Sequence, residues 1–66
     1  MEIHVNDKLQ EMPAGISLLG LLTERKLDPN AVAVEYNEKI VPREEWKLIE
    51  LQQGDQLQIV RFVGGG

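Results

Sequence analysis

The sequence predicts an α+β domain in which a mixed sheet of four to five strands packs on one α-helix, with a flexible glycine tail at its C-terminal end. Three observations carry this expectation. Short stretches of alternating polar and apolar residues recur along the chain, the segment Leu18 to Arg25 shows the three-and-four spacing of a helix, and no linker or internal repeat divides the 66 residues. A chain of this length allows one domain with a small core. The expected body is residues 1–63 and the tail is 64–66.

Glu2-Ile3-His4-Val5 alternates as a half-buried strand does, and Asn6-Asp7 supplies residues that tolerate left-handed backbone. A tight hairpin therefore returns through Lys8 to Met12, with Ile3, Val5 and Leu9 as the expected core contacts. Pro13-Ala14-Gly15 breaks the pattern. Ser17 then stands where an N-cap belongs, its hydroxyl placed to accept from amides of the first helical turn. Leu18, Leu21, Leu22 and Arg25 share one helix face, the arginine through its aliphatic stem. Gly20 inside the helix gives up about 1 kcal/mol of propensity relative to alanine, which a close approach of the helix backbone to the sheet would explain. Leu27 closes the helix-end packing. Asp28-Pro29-Asn30 ends the element, because proline disfavours helical geometry in the residue before it.

Ala31 to Tyr36 alternates again, with Val32, Val34 and Tyr36 on one face and Ala33 and Glu35 on the other. Asn37-Glu38-Lys39 reads as a turn, Ile40-Val41 as a short extended piece, and Pro42 as the first residue of a helical turn reaching Trp46. Trp46, the single tryptophan, reads as an anchor for this irregular segment in preference to a cofactor-stacking group. Arg43 reads as a local ion-pairing or carbonyl-binding residue. Leu48, Ile49 and Leu51 indicate a further short strand. After a turn at Gln52-Gln53-Gly54-Asp55, in which Gly54 supplies positive φ, the last strand runs from Gln56 to Phe62. It sets Leu57 and Ile59 on one face and Gln58, Val60 and Phe62 on the other.

Composition excludes several chemistries. No cysteine occurs, which removes disulfides, thiolate metal sites and a catalytic thiol, and the single His4 cannot build a metal centre alone. A formal net charge of −4 argues against binding nucleic-acid phosphates and favours a partner with a basic docking surface. No apolar run approaches the roughly 20 residues that span a bilayer, and the first residues lack a basic-then-apolar leader pattern. The expected setting is therefore cytoplasmic, away from membranes. Without a Ser/His/Asp constellation, a phosphate-cradling loop or paired carboxylates in a recognisable site, independent catalysis is not expected.

Gly64-Gly65-Gly66 has no side chain to pack and loses the most backbone entropy on ordering. Taken alone, these glycines fit either a frayed end or a tail thin enough to thread a narrow passage and deliver its α-carboxylate to a partner's active site. Val60 and Phe62 beside them also allow two readings. They form a docking patch, with Gln58, on the sheet face that one helix leaves open, or they continue the core.

The segment Ile40-Val41-Pro42-Arg43-x-x-Trp46, the later Gly54-Asp55 and the terminal Gly65-Gly66 resemble the ThiS family, the sulfur carriers of thiamin biosynthesis. The resemblance covers the whole chain in length and element order and implies a ubiquitin-like β-grasp fold. It further implies that Gly66 is the sulfur-carrying terminus, with Gly64 and Gly65 as its approach to a partner's active site. A ThiF-like adenylyltransferase would spend ATP and magnesium to form an acyl-adenylate at Gly66. A cysteine-derived sulfur donor would convert this to a thiocarboxylate, and a ThiG-like thiazole synthase would accept the tail. The chain itself would bind neither cofactor nor metal. Gly64 departs from the family's final glycine pair and lengthens the reach. The small subunit of molybdopterin synthase is similar in fold and ending, but its usual sequence lacks the Pro42-Arg43-x-x-Trp46 pattern. A non-carrier β-grasp interaction module and a modifier ligated through Gly66 are the alternatives of a different class.

Overall fold

The structure, a computed structural model, describes residues 1–62. Gly64, Gly65 and Gly66, the expected tail, and Val63, the expected last residue of the body, lie outside the described residues. Strands β1 (Glu2–Val5) and β2 (Lys8–Glu11) precede helix α1 (Leu18–Glu24), followed by β3 (Val32–Tyr36), β4 (Lys39–Ile40), a 3-10 helix (Arg43–Leu48) and β5 (Gln56–Arg61). The sheet order is β2-β1-β5-β3-β4, with β5 parallel to β1 and antiparallel to β3. A five-stranded mixed sheet with α1 on one face is the expected α+β architecture.

Both hairpins turn on consecutive left-handed residues: φ is 51° and 68° at Asn6 and Asp7, and 48° and 73° at Asn37 and Glu38. Such pairs match the right-handed twist of the flanking strands. The first turn also sets the register. Val5 stands opposite Lys8, so Leu9 falls opposite His4 on the sheet face turned away from α1. Leu9 is consequently 55% exposed, and its expected place in the core is wrong. Met12, just past the strand, is buried instead and exchanges backbone hydrogen bonds with Met1 at 2.7 and 2.8 Å.

Helix α1 begins as expected, Ser17 Oγ accepting from the Gly20 amide at 2.9 Å. The glycine itself has a local cause in place of the expected approach to the sheet. A Cβ at position 20 would lie 3.1 Å from Ser17 Oγ and 3.2 Å from Ile16 Cγ1, so the capping segment crowds it. At the other end the Lys26 amide donates to the Thr23 carbonyl and the Leu27 amide to the Leu22 carbonyl, a Schellman closure. This closure holds Lys26 at φ 59°. A side chain in that region costs about 1–2 kcal/mol, partly offset by the extra unfolded-state entropy of glycine. Lys26→Gly should therefore raise the unfolding free energy by about 0.5–1 kcal/mol in urea denaturation, and an unchanged or lower value would contradict the strain at this cap.

The stretch from Leu48 to Leu51 does not form the expected strand. The 3-10 helix runs through Leu48, which is 75% exposed. Beyond it a single bridge joins Glu50 to Ser17, flanked by the Leu18 amide on the Ile49 carbonyl and the Leu51 amide on the Ile16 carbonyl. Ser17 is already turning into α1, and the ladder has no strand to continue along. Pro42 precedes the helical turn, with φ −60° and ψ 145°, and does not occupy its first position. Trp46 anchors this segment as expected: its ring is buried and Nε1 donates to the Val41 carbonyl at 3.0 Å. Arg43 donates to the side-chain carbonyl of Asn30. The core forms where Ile3, Val5, Val32, Val34 and Leu57 of the sheet meet Leu18, Leu21 and Leu22 of α1, with Met12, Val41, Trp46 and Leu51 closing its margin.

Candidate functional site

Strand β5 positions the candidate site because it lies at the sheet's centre and leads toward the glycines. Its alternation divides two environments. Leu57 is fully buried and Ile59 packs against the core, whereas Val60 and Phe62 are 57% and 62% exposed. Val60 stands opposite Ala33, and the Phe62 amide donates to the Ala31 carbonyl at 2.8 Å. The small side chains of residues 31 and 33 leave the two large ones raised above the sheet. Of the two readings, a continued core is thus excluded: Val60 and Phe62 belong to the open face. Gln58 shares that face but is half-buried and directed sideways, its Nε2 donating to Asp7 Oδ1 at 3.2 Å.

The opposite end of β5 is fixed by Asp55, whose structural role sequence reasoning did not anticipate. Asp55 is buried. Its Oδ2 accepts from the Tyr36 hydroxyl and the Gln52 amide, both at 2.7 Å, and its Oδ1 accepts from Asn37 Nδ2 at 3.2 Å. Its backbone carbonyl takes the His4 amide at 2.8 Å. One carboxylate thus ties the β3–β4 hairpin, the preceding turn and the start of β5, and so sets where the strand's other end emerges. The available signal was an aspartate directly after Gly54, whose φ is 86°, at a strand entry.

Burial first, then the hydrogen bond and the negative charge of Asp55, push the Tyr36 phenol from 10.0 up to about 12. The folded state therefore prefers the neutral phenol, and this contribution is complete below the unfolded value of about 10 and lost as pH rises toward 12. Wild-type protein should lose more stability than Tyr36→Phe between pH about 9 and about 12, measured by urea denaturation at each pH. Equal losses would contradict the coupling.

Among the described residues there is no group of three or more His, Cys, Asp or Glu placed to hold a metal ion, and no helix long and apolar enough to cross a membrane. The assembled features are an exposed apolar pair and a strand that leads to Phe62.

Fold and site together define a class: a small β-grasp domain of ubiquitin-like form, presenting an open sheet face beside the end of its central strand. Comparison with known proteins narrows this class. The ThiS family profile matches residues 1–66. The chain is 33% identical to the sulfur carrier protein ThiS of Escherichia coli over the full length of both. It superimposes on the crystal structure of the thiamine biosynthesis protein ThiS from Geobacter metallireducens with a TM-score of 0.85, at 28% identity and with both chains fully covered. It is also 41% identical, over all 66 residues, to a thiazole synthase of Magnetococcus marinus, of whose length it spans 20%. The chain belongs to the ThiS family, the sulfur carrier proteins of thiamine biosynthesis.

Proposed function

We propose that this chain carries sulfur as a thiocarboxylate on Gly66 and donates it for thiazole formation. The observation that carries the reading is the family match along the whole chain, glycine end included. The chemistry is consistent with a chain that supplies a substrate and a docking face. A carboxylate is a poor acyl electrophile, since its charge repels nucleophiles and its oxygen is a poor leaving group. An adenylyltransferase of the ThiF type would first join the Gly66 carboxylate to the α-phosphate of ATP, with magnesium, releasing pyrophosphate. Hydrosulfide released by a cysteine-derived donor would then attack the acyl carbon and expel AMP, a C–S bond replacing the C–O bond to AMP and a proton being lost, which leaves the thiocarboxylate. ATP and magnesium belong to that partner, and the carrier needs no catalytic group.

In this reading Gly64 and Gly65 give the tail its narrow approach, while Val60, Phe62 and Gln58 form the docking surface. A ThiG-like thiazole synthase is the acceptor. The support for it is the Magnetococcus marinus relative, named a thiazole synthase, which contains a segment similar to this whole chain. The cytoplasm is the corresponding setting. Removal of Gly65 and Gly66 tests the proposal. The truncated protein should keep its thermal midpoint and lose sulfur transfer completely. Retained transfer would refute the assignment of Gly66, and unfolding would make the glycines part of the scaffold.

A further inference from the structure

We infer that a groove between Arg25 and Arg61 receives a carboxylate side chain of the adenylating partner. This rests on the carrier reading above and adds a second contact to it. The groove follows from unequal element lengths. Helix α1 has 7 residues and β5 has 6, which correspond to about 10 Å of helix and about 20 Å of strand. The helix stops at Glu24, and the inner sheet face near Ile59 and Arg61 extends past it. What remains is a cavity of about 380 Å³ lined by Val5, Asn6, Arg25, Leu27, Ile59 and Arg61.

Its floor is apolar and its polar amide is already used. Asn6 Oδ1 accepts from the Ile59 amide at 2.7 Å and Nδ2 donates to the Ile59 carbonyl at 3.3 Å. Arg25 and Arg61 are exposed, and the one ion pair among the described residues joins the N-terminal ammonium to Glu11. Two arginines thus line one concave site, neither paired with a carboxylate of the described residues, in a chain whose net charge is −4. A guanidinium fork matches a carboxylate in shape and charge, and Val5, Leu27 and Ile59 suit the methylene stem that carries it.

Strand alternation adds the orientation. Arg61 points to the opposite side of β5 from Val60 and Phe62, so a partner enclosing this strand end meets an apolar patch on one side and a cationic groove on the other. The acidic contact fixes which way the carrier sits. The chain's overall charge favours a basic partner surface, and this groove places one acidic side chain within it.

The test is steady-state pyrophosphate release by a ThiF-type adenylyltransferase, with carrier and ATP varied separately. Arg25→Glu and Arg61→Glu should each raise the KM for carrier about tenfold, with kcat, the KM for ATP and the thermal midpoint unchanged. Added sodium chloride should raise the wild-type KM more than that of either glutamate variant, in which an introduced carboxylate offsets the remaining arginine, while Arg25→Lys and Arg61→Lys should keep most of the affinity. An unchanged carrier KM in both glutamate variants would overturn the inference. So would a raised KM for ATP, which would assign the arginines to nucleotide phosphate. Pyrophosphate release absent from the wild type would overturn the carrier reading and this inference with it.

Discussion

Trp46→Ala should destabilise the protein by about 3–5 kcal/mol. A domain of 66 residues has a total stability on the order of 3–10 kcal/mol, so the variant should be largely unfolded or close to its midpoint at room temperature. The size of the effect follows from position. Trp46 is 2% exposed, is the largest of the fully buried side chains, and joins the 3-10 helix to the core beneath α1. The segment around it has little ladder bonding of its own, since β4 spans only two residues and Glu50 forms a lone bridge. Without the indole, the route from β4 to β5 loses its anchor and the Val41 carbonyl loses its donor. Trp46→Phe should recover most of the packing and lack only the hydrogen bond, worth about 1 kcal/mol. Urea denaturation followed by circular dichroism measures both. A loss below about 1 kcal/mol for the alanine variant would show that the tryptophan is not structural.

The joint substitution Val60→Ser and Phe62→Ser should weaken binding to the adenylating partner by about thirtyfold or more and leave the thermal midpoint nearly unchanged. Both side chains stand on the open face, more than half exposed in the isolated chain. Their removal therefore opens no cavity. A raised aromatic beside a small residue is the kind of feature that dominates docking energy when a partner covers it. Binding measured by calorimetry, with melting curves on the same samples, separates the outcomes. Unchanged affinity would remove these residues from the docking surface.

Much of this architecture was legible in local pattern. The alternation of Val32 and Val34, the spacing of Leu18, Leu21 and Leu22, the Ser17 cap and the left-handed pair at Asn6-Asp7 are each determined by residues close in sequence. The misreadings lie where a neighbouring segment, near or far along the chain, decided the outcome. Leu9 has the right polarity for a core strand, yet the two-residue turn sets its register opposite His4. Leu48 to Leu51 has strand-like composition, but the neighbour it pairs with is entering a helix. Gly20 is explained by the folded-back cap and not by the sheet.

The candidate site divides in the same way. Val60 and Phe62 were placed together by parity alone, but only the position of α1 says which face is open. Asp55 was visible as a turn residue, while its contacts with Tyr36 and Asn37 depend on how β3 lies beside β5. Arg25 and Arg61 are far apart in sequence, and nothing local announces that the end of α1 brings them to one groove.

Intact-protein mass spectrometry, with fragmentation of the C-terminal residues, tests the central claim most directly. After incubation with the adenylyltransferase, ATP, magnesium and a sulfur donor, the wild-type chain should gain the mass of one sulfur replacing one oxygen, and the fragments should place that change on Gly66. An unchanged mass, under conditions in which a control carrier is converted, would contradict sulfur carriage by this chain. A gain located anywhere else would contradict Gly66 as its site.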